Sequence, residues 1–391
     1  MDRIIVIGRG MIGSAATRHL TSLTDGITLI GPDEPTDYAA HDGVFASHYD
    51  EGRMTRISDP DPDWAVTSKR SIERYAEIEA ESGIPFFTNS RYLGIGGTDT
   101  SFLDRAEAAG RALGADLTRL DAQGVRALYP FLSVPDDADG LYEDRHAGHL
   151  NPRAMVRAQT EAARNRGATI VNDRVTEIRS VPGGVEVVLA GGEVRRSDKV
   201  LIATGGFTDA CGLPPLDLKL RVFGRTVLLA RMEGSVAEPL SDMPTMGHAE
   251  TGAYILPPIR YPDGYDYLKI GIGTTDDPEF RSLPELKDWF RKPGSEENRD
   301  RFRPFLEGLI PALTEVAHWH TASCLVTWTA TGLPYIDHVL DDRIAIAVGG
   351  NGKGAKSSDD WGWIAAHLVA GLDWEHPVDR AKLGIPGNIA G

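Results

Sequence analysis

The start of the chain joins a short apolar run to a glycine loop, in the segment "RIIVIGRGMIGSAATRHLTSL", residues 3–23. This order predicts a strand, a tight turn and a helix. Gly8 permits the turn, Gly10 lets a pyrophosphate approach backbone N–H groups, and Gly13 allows the helix to pack closely on the strand. The helix N-terminus adds donors and partial positive charge. We therefore expect a dinucleotide-binding unit with contacts from Gly8, Gly10, Met11, Ile12 and Gly13, the alternative being a chance glycine turn.

The next strand is predicted in "GITLIGPDEP", residues 26–35. In a dinucleotide-binding unit this strand usually ends in an acidic residue that binds the adenosine ribose. Here it ends in Gly31, and Asp33 and Glu34 follow in the loop. We expect Asp33 to reach the ribose hydroxyls, with backbone groups and water as the alternative.

Length and charge limit the other functions open to the chain. At 391 residues it is long for one core, which favours two domains or one large α/β unit with an insertion. A formal charge of −16 argues against nucleic acid and anionic membranes as partners. No apolar run is long enough to span a bilayer, and the opening strand leaves no room for a signal peptide, so we expect a cytoplasmic protein. No Cys/His spacing is typical of a metal site.

The periodicity along the chain predicts a discontinuous first domain. Helical patterns and hairpins alternate up to "VLIATGG", residues 217–335 read mostly as strands, and a strand and a helix close the chain. We predict an α/β fold with a Rossmann-type nucleotide domain formed by 1–85, 150–215 and 320–391. Residues 86–149 and 216–319 are predicted to form a second, α+β domain with an antiparallel sheet. A returning C-terminal strand and helix suit a long cofactor such as FAD better than NAD.

Two cysteines, Cys211 and Cys324, are too few for a disulfide framework. Cys324 lies in the strand-like run "HWHTASCLVTWTATGLPYIDH", residues 318–338, and a glycine-rich segment, "VGGNGKGAKSSDDWGW", begins at residue 348. From the residues alone, this thiol is a disulfide partner, a buried small hydrophobe, a nucleophile or a cofactor tether.

Several motifs in a consistent order carry a family resemblance. After the glycine loop come "GRMTRI", "VLIATGGFTD", "KIGIG", "SCLVTWTATGLPYID" and "GGNGKGAKSS". Together they span nearly the whole chain, which resembles the D-amino-acid oxidase superfamily of flavoproteins. Within that superfamily the chain is most similar to the monomeric sarcosine oxidase and N-methyltryptophan oxidase branch.

The resemblance implies an FAD cofactor and roles for particular residues. Cys324 would carry a thioether to the flavin, and Arg53 would face the flavin. Arg56 and Lys356 would bind a substrate carboxylate, which suits a forked guanidinium and a compact ammonium. The remaining implied catalytic residues are Lys353, Tyr49 and His48, with Tyr254 lining the substrate pocket. The remaining implied cofactor contacts are Ser47, Val175, Thr204, Gly205, Gly350, Gly352, Lys353 and Gly354.

One departure from the branch concerns dioxygen. The branch places a lysine near the flavin after the "KxG" strand, whereas "KIGIGTTDDPEFRS" continues with Asp276, Asp277 and Pro278. The resemblance therefore leaves the electron acceptor open between dioxygen and another acceptor.

The function implied is oxidation of a C–N bond in a small amine or N-methyl amino acid. A hydride would pass to flavin N5, and water would hydrolyse the imine. The alternatives are oxidation of a 2-hydroxy acid, a dehydrogenase with an acceptor other than dioxygen, an NAD(P)H-linked oxidoreductase, and a non-catalytic flavin-binding subunit. The resemblance also implies a monomer, and a small-molecule substrate as its partner.

Overall fold

A computed structural model describes residues 2–97, 99–213 and 217–387. Within these ranges the chain forms eight α-helices, most of them where the sequence shows helical periodicity. Their bounds are α1 Met11–Thr21, α2 Pro62–Ser82, α3 Ser101–Ala112, α4 Ala122–Leu128, α5 Pro152–Asn165, α6 Leu283–Phe290, α7 Glu296–Leu309 and α8 Gly354–Ala370.

The strands of the described residues form two large sheets and one small one. The first ten are β1 Asp2–Ile7, β2 Ile27–Ile30, β3 Arg53–Thr55, β4 Phe87–Thr88, β5 Tyr92–Gly96, β6 Leu117–Asp121, β7 Asp139–Glu143, β8 Gly148–Leu150, β9 Thr169–Val171 and β10 Val175–Val181. The others are β11 Gly184–Leu189, β12 Val194–Ile202, β13 Arg221–Met232, β14 Thr245–His248, β15 Ala253–Arg260, β16 Asp266–Gly271, β17 Glu279–Phe280, β18 Trp319–Trp328, β19 Tyr335–Val339 and β20 Asp341–Val348.

The first large sheet has β1 at its centre. It runs β10-β11-β12-β1-β2-β9, and β20 joins it in parallel beside β12. Both neighbours of β1 are parallel to it. Ile5 and Ile7 pack into one apolar cluster while Val6 packs into another, so both faces of the strand are buried. Burial on both faces explains the continuous apolar run at the start of the chain.

Helices from both ends of the chain cover this sheet. α1 packs against α5 and α8, and α2 also packs against α8. A Cβ added to Gly362 would lie 2.6 Å from the Cβ of Ala15, so the glycine lets α8 approach α1 closely. The C-terminal helix thus returns to the N-terminal glycine loop, and the predicted α/β architecture is confirmed.

The second large sheet is mainly antiparallel. Its order is β17-β13-β16-β15-β14-β5-β7-β6, with β18 also paired to β13 and only the β14–β5 pair parallel. α7 packs on it through Phe302, Leu306 and Leu309, which belong to one large apolar core. The predicted boundary at residue 320 placed β18 in the nucleotide domain, whereas its partner strand lies in this sheet. The predicted boundary between 215 and 216 lies outside the described residues, and the domain division stays a prediction.

A small sheet of β3, β8 and β4 positions the arginine motif. Arg53 pairs with Leu150 across the β3–β8 ladder. Beyond β3, the buried Glu143 of β7 accepts hydrogen bonds from the backbone N–H groups of Ile57 (2.8 Å) and Ser58 (3.0 Å). These contacts fix the chain on both sides of Arg56. No helix in the described ranges is long and apolar enough to cross a membrane.

Candidate active site

A cavity of about 520 Å³ runs from the glycine loop to the start of α8. Its walls come from segments far apart in the sequence, including 8–12, 44–49, 203–207, 324–328 and 349–356. The cavity is lined by the predicted residues Gly8, Gly10, Met11, Ile12, Ser47, His48, Tyr49, Arg53, Arg56, Val175, Thr204, Gly205, Tyr254, Cys324, Gly350, Gly352, Lys353, Gly354 and Lys356. Gly13 and Asp33 are the two predicted residues that do not line it. The roles of all these residues stay predictions.

The glycine loop forms a cradle that fits a pyrophosphate. Gly8 has a φ of +107°, and a Cβ there would lie 2.4 Å from the carbonyl oxygen of Ala203. A Cβ on Gly13 would lie 1.9 Å from the carbonyl oxygen of Gly8, which explains why this glycine packs and does not line the cavity. A Cβ on Gly10 would meet no atom within 4 Å, so open space faces the start of α1. This arrangement fits the phosphates of FAD.

The far end of the loop differs from the predicted ribose contact. Asp33 forms an ion pair with Arg9, and its backbone N–H donates to the side chain of Asn172 (2.9 Å). The side chain of Asp33 is more than half exposed. A Cβ on Gly31 would lie 2.6 Å from the Cβ of Arg9, so Arg9 fills the space beside the strand end. Arg9, Gly31 and Pro32 form the cavity wall there, and the contact of Asp33 with the ribose stays a prediction.

Cys324 lies on β18 and lines the cavity. It is in register with Arg225 of β13, which also lines the cavity, so both side chains project from the same face of the sheet. Arg53 donates a hydrogen bond from Nη2 to Sγ of Cys324 (3.3 Å) and another to the carbonyl oxygen of Ser47 (3.0 Å). Trp289 donates to the carbonyl oxygen of Cys324 (2.9 Å). Both cysteines are free, so no disulfide joins them.

Arg53 contacts Cys324 through Nη2 and the carboxylate of Asp50 through Nη1. This carboxylate also accepts from Lys269 Nζ (2.5 Å) and from the Tyr261 hydroxyl (2.9 Å). Lys269 also donates to the carbonyl oxygen of Gly52 (2.5 Å). Burial alone would raise the pKa of Asp50, but Lys269 and Arg53 lower it overall. Burial lowers the pKa of Lys269 to about 8, although Asp50 raises it.

A lysine of this region lies within the strand and not after it. The expectation considered the residues after β16, whereas Lys269 lies within β16 and is almost fully buried beside the Arg53 network. A charged residue in an apolar strand is a sequence signal, because lysine is rarely buried without a partner. The partner, Asp50, lies 219 positions away, and the sequence does not reveal the pair.

The end of the cavity nearest α8 is strongly cationic. Asp59 is fully buried there, and its two oxygens accept from Lys353 Nζ (2.8 Å) and Lys356 Nζ (2.6 Å). Arg56 Nη2 lies 3.8 Å from Asp59, beyond hydrogen-bond distance, and Arg56 lies over the ring of Tyr92 at 4.6 Å. The buried Nε of Arg56 has no hydrogen-bond partner in the described part of the chain.

The charges at this end perturb one another. Burial alone would raise the pKa of Asp59, but Lys356, Arg56 and Lys353 lower it overall. The pKa of Lys356 is lowered to about 8, mainly by burial. Asp59 raises this pKa, whereas the positive charges of Arg56 and Lys353 lower it further. The sequence analysis did not identify Asp59. Its position three residues after Arg56 was the only available signal.

His48 and Tyr49 lie in the cavity wall but do not form an acid–base pair at neutral pH. Burial, with the nearby Arg153 and Arg53, lowers the pKa of His48 to about 3. Burial raises the pKa of Tyr49 above its ordinary value. Burial also raises the pKa of Tyr254. These three side chains are therefore uncharged near neutral pH and present polar but neutral groups to the cavity.

A fold with a dinucleotide-type glycine loop and a long cavity that ends in cations is typical of flavin-dependent oxidoreductases. A family model described as FAD dependent oxidoreductase matches residues 3–370. The chain belongs to this family, its cofactor is FAD, and the predicted resemblance is confirmed. In the described ranges no group of three or more His, Cys, Asp or Glu side chains is arranged to hold a metal ion.

The matches to individual proteins extend over most of the chain. N-methyl-L-tryptophan oxidase of Citrobacter koseri is 25% identical over 375 residues, which cover 94% of each chain. A structure of NikD, described as an unusual amino acid oxidase essential for nikkomycin biosynthesis, has a TM-score of 0.76 at 18% identity over 98% of this chain and 97% of its own. Glycine oxidase from Geobacillus kaustophilus has a TM-score of 0.73 at 18% identity, covering 98% and 99%. The two structures show a shared fold.

Proposed function

We propose that this FAD-dependent oxidoreductase oxidises a C–N bond of a small amine or amino acid that carries a carboxylate. The observation that carries the proposal is the course of the cavity, which begins at the glycine loop and ends at Arg56 and Lys356. Arg56 lies at that end with a buried, unpartnered Nε, and such a donor is costly unless a ligand accepts from it. The names of N-methyl-L-tryptophan oxidase and glycine oxidase support the same substrate class.

Bound FAD supplies the acceptor for a hydride equivalent, at flavin N5. The chain's own residues bind and orient the substrate. Arg56 forks onto the carboxylate, and the ring of Tyr92 supports the guanidinium plane. The surrounding cations disfavour the ammonium form of the substrate, so that the reacting amine is neutral. Fixing the carboxylate orients the substrate so that the carbon next to its nitrogen is in position to give up a hydride. The imine product then leaves the site and is hydrolysed by water.

Anaerobic bleaching of the flavin absorbance tests the substrate class. We expect N-methyl-L-tryptophan or glycine, at millimolar concentration, to bleach the holoenzyme, while 2-hydroxyglutarate does not. Arg56→Gln should raise KM roughly 100-fold or more with FAD retained, because a charge-assisted bidentate contact is lost. Arg145→Gln, at an exposed arginine, is the matched control.

Each other outcome of this test favours a different alternative. If only the hydroxy acid bleaches the flavin, the substrate is a 2-hydroxy acid and not an amine. Failure of all substrates to bleach a flavin-loaded protein would favour a non-catalytic flavin-binding subunit.

We also propose that Cys324 would hold the flavin through a thioether. The C–S bond would replace a C–H bond of the flavin, and the two electrons released would reduce the flavin ring and then pass to the electron acceptor of the enzyme. Both cysteines line the cavity, but only the sulfur of Cys324 accepts a hydrogen bond from Arg53 among the described residues. Cys211 packs against an apolar cluster, and burial raises the pKa of its thiol. After acid precipitation we expect the yellow colour to stay with the wild-type and Cys211→Ser proteins and to enter the supernatant for Cys324→Ser. Colour in the wild-type supernatant would contradict the tether and leave the FAD site intact.

The acceptor, the assembly state and the location belong to the same proposal. We propose dioxygen as acceptor, and peroxide formation measured beside dye reduction distinguishes an oxidase from a dehydrogenase. The monomeric state and the cytoplasmic location stay predictions from the sequence. Light scattering of the holoenzyme measures its molar mass and so tests whether it is a monomer.

A further inference from the structure

The carboxylate site of the proposed function already contains an anion from the chain itself. Asp59 has no exposed surface, and one oxygen binds Lys353 while the other binds Lys356. Both lysines belong to the segment at the start of α8 that lines the cavity. A substrate carboxylate that uses Lys356 must therefore share or displace this contact.

The position of Asp59 is fixed by the elements around it. Glu143 holds the backbone of Ile57 and Ser58, and Asp61 donates its backbone N–H to Asp59 (3.0 Å) before capping α2. On the other side, Tyr75 of α2 donates to the carbonyl oxygen of Lys356 (3.1 Å). Both lysines bind the carboxylate of Asp59, whereas Nε of Arg56 has no hydrogen-bond partner among the described residues, so the free anion-binding capacity lies with Arg56.

We propose that Asp59 is a built-in counter-anion of the substrate-carboxylate site, so that a substrate binds by competing with Asp59 for Lys356 while it takes the free donors of Arg56. This inference rests on the proposed function. Asp59 is a positioning residue: it holds the two lysines and sets how much positive charge the substrate meets. Only an anion can compete with it, so the site selects carboxylates over neutral amines and amides.

The pH dependence of ligand binding follows from the same contacts. Carboxylate binding requires a protonated Lys356, whose pKa is lowered to about 8 by burial, so binding is present below that pH and is lost above it. Asp59 raises this pKa, whereas Arg56 and Lys353 lower it. Removing Asp59 should therefore move the loss of binding to lower pH, and removing Lys353 should move it to higher pH. Glu143 and Tyr92 lie near Arg56, and Tyr75 contacts Lys356; these titratable groups are present in every variant.

Benzoate and its neutral isostere benzamide serve as probes, with binding to the holoenzyme read from the flavin absorbance between about pH 5.5 and pH 9.5. In the wild type we expect benzoate to bind at least ten times more tightly than benzamide below about pH 8. In Asp59→Asn we expect benzoate to bind roughly tenfold more tightly at the acid end, because the cations are free, and to lose that gain at a lower pH. The two pH curves should cross, and benzamide binding should not change.

Two further variants make the test independent of a general structural effect. Lys353→Met should weaken benzoate binding and move its loss to higher pH, opposite to Asp59→Asn. If Asp59→Asn does not fold, Asp59→Ser removes the same carboxylate and takes its place in the comparison with Lys353→Met. Asp276→Asn removes an exposed carboxylate and should match the wild type.

The outcomes separate this inference from the function on which it rests. If benzoate does not bind the wild type in preference to benzamide, the carboxylate site of the proposed function is wrong. If that preference is present but the pH limits of Asp59→Asn and Lys353→Met do not move in opposite directions, Asp59 has only a structural role and the inference is overturned.

Discussion

Asp50 and Lys269 show how a single buried ion pair positions the reactive part of the site. Asp50 binds both Lys269 and Arg53, and Arg53 in turn reaches the sulfur of Cys324. The side chain of Lys269 is 1% exposed and that of Asp50 11%. Removing one member of such a pair leaves a buried charge without compensation, whereas removing both does not.

We therefore expect Asp50→Asn to lower the free energy of unfolding by about 3–5 kcal/mol, because it leaves both Lys269 and Arg53 without their carboxylate partner. The double variant Asp50→Asn/Lys269→Met should lower it by less, because only Arg53 then lacks that partner. Urea unfolding of the holoenzyme, followed by far-UV circular dichroism, measures both. The surface pair Asp288 and Lys292, whose side chains are more than half exposed, is the matched control and should contribute less than about 1 kcal/mol. A loss in Asp50→Asn no larger than in the control would contradict the role of the pair.

Residues that act through local patterns were predictable, and those that act through distant partners were not. Gly8, Arg53, Arg56 and Lys356 belong to short motifs and line the cavity as expected. Asp50 and Asp59 were not predicted as site residues, and Lys269 belongs to the motif "KIGIG" but was given no role there. The importance of all three depends on partners that only the fold brings together. For the same reason the sequence did not show that Asp33, which was predicted to contact the ribose, forms an ion pair with Arg9.

At the scale of elements, the β1–α1 unit links the sequence most directly to the cofactor. Two of its three glycines, Gly10 and Gly13, have different structural environments, although both stand in the same motif. A Cβ at Gly13 would lie 1.9 Å from the carbonyl oxygen of Gly8, whereas at Gly10 it would meet only open space. Gly13 therefore serves the contact between helix and strand, and Gly10 serves the phosphate.

Alanine substitutions at these two positions should separate stability from cofactor binding. In a Cys324→Ser background, from which FAD can be removed, we expect Gly13→Ala to lower the melting temperature of the apoprotein. Gly10→Ala should leave that temperature nearly unchanged and weaken FAD binding roughly tenfold or more, because its methyl group enters the space of the pyrophosphate. Differential scanning fluorimetry and FAD titration measure the two effects. Equal losses of apoprotein stability would contradict this division of roles.

The same contrast explains which elements the sequence predicted. The helices α2, α5 and α8 follow from their periodicity and from signals at their ends, such as the cap of α2 by Asp61 and its left-handed Gly83. The partner of β18 did not follow, because strand pairing is set by contacts with β13, about a hundred residues away. A strand-like pattern predicts a strand but does not indicate its sheet.

For the whole molecule, the cofactor cavity joins parts of the chain that are otherwise far apart. Gly8, Arg53, Thr204, Cys324 and Lys353 all line it, and they lie in the first and last fifths of the sequence and in its middle. A ligand that binds only the folded state stabilises it according to its concentration relative to Kd. FAD is therefore expected to stabilise both ends of the chain at once.

The tether proposed for Cys324 changes how this stabilisation depends on concentration. In Cys324→Ser the cofactor dissociates, so the melting temperature should rise with the logarithm of added FAD, corresponding to about 2.7 kcal/mol at a hundred times Kd. In the wild type the cofactor does not dissociate, so its melting temperature should be higher and independent of added FAD. Cys211→Ser should behave like the wild type, because the proposed tether is at Cys324, whose sulfur accepts the hydrogen bond from Arg53. If the melting temperature of the wild type rises with added FAD, the cofactor exchanges and the tether is contradicted. If the melting temperature of Cys324→Ser does not change with added FAD, cofactor binding does not stabilise the two ends of the chain.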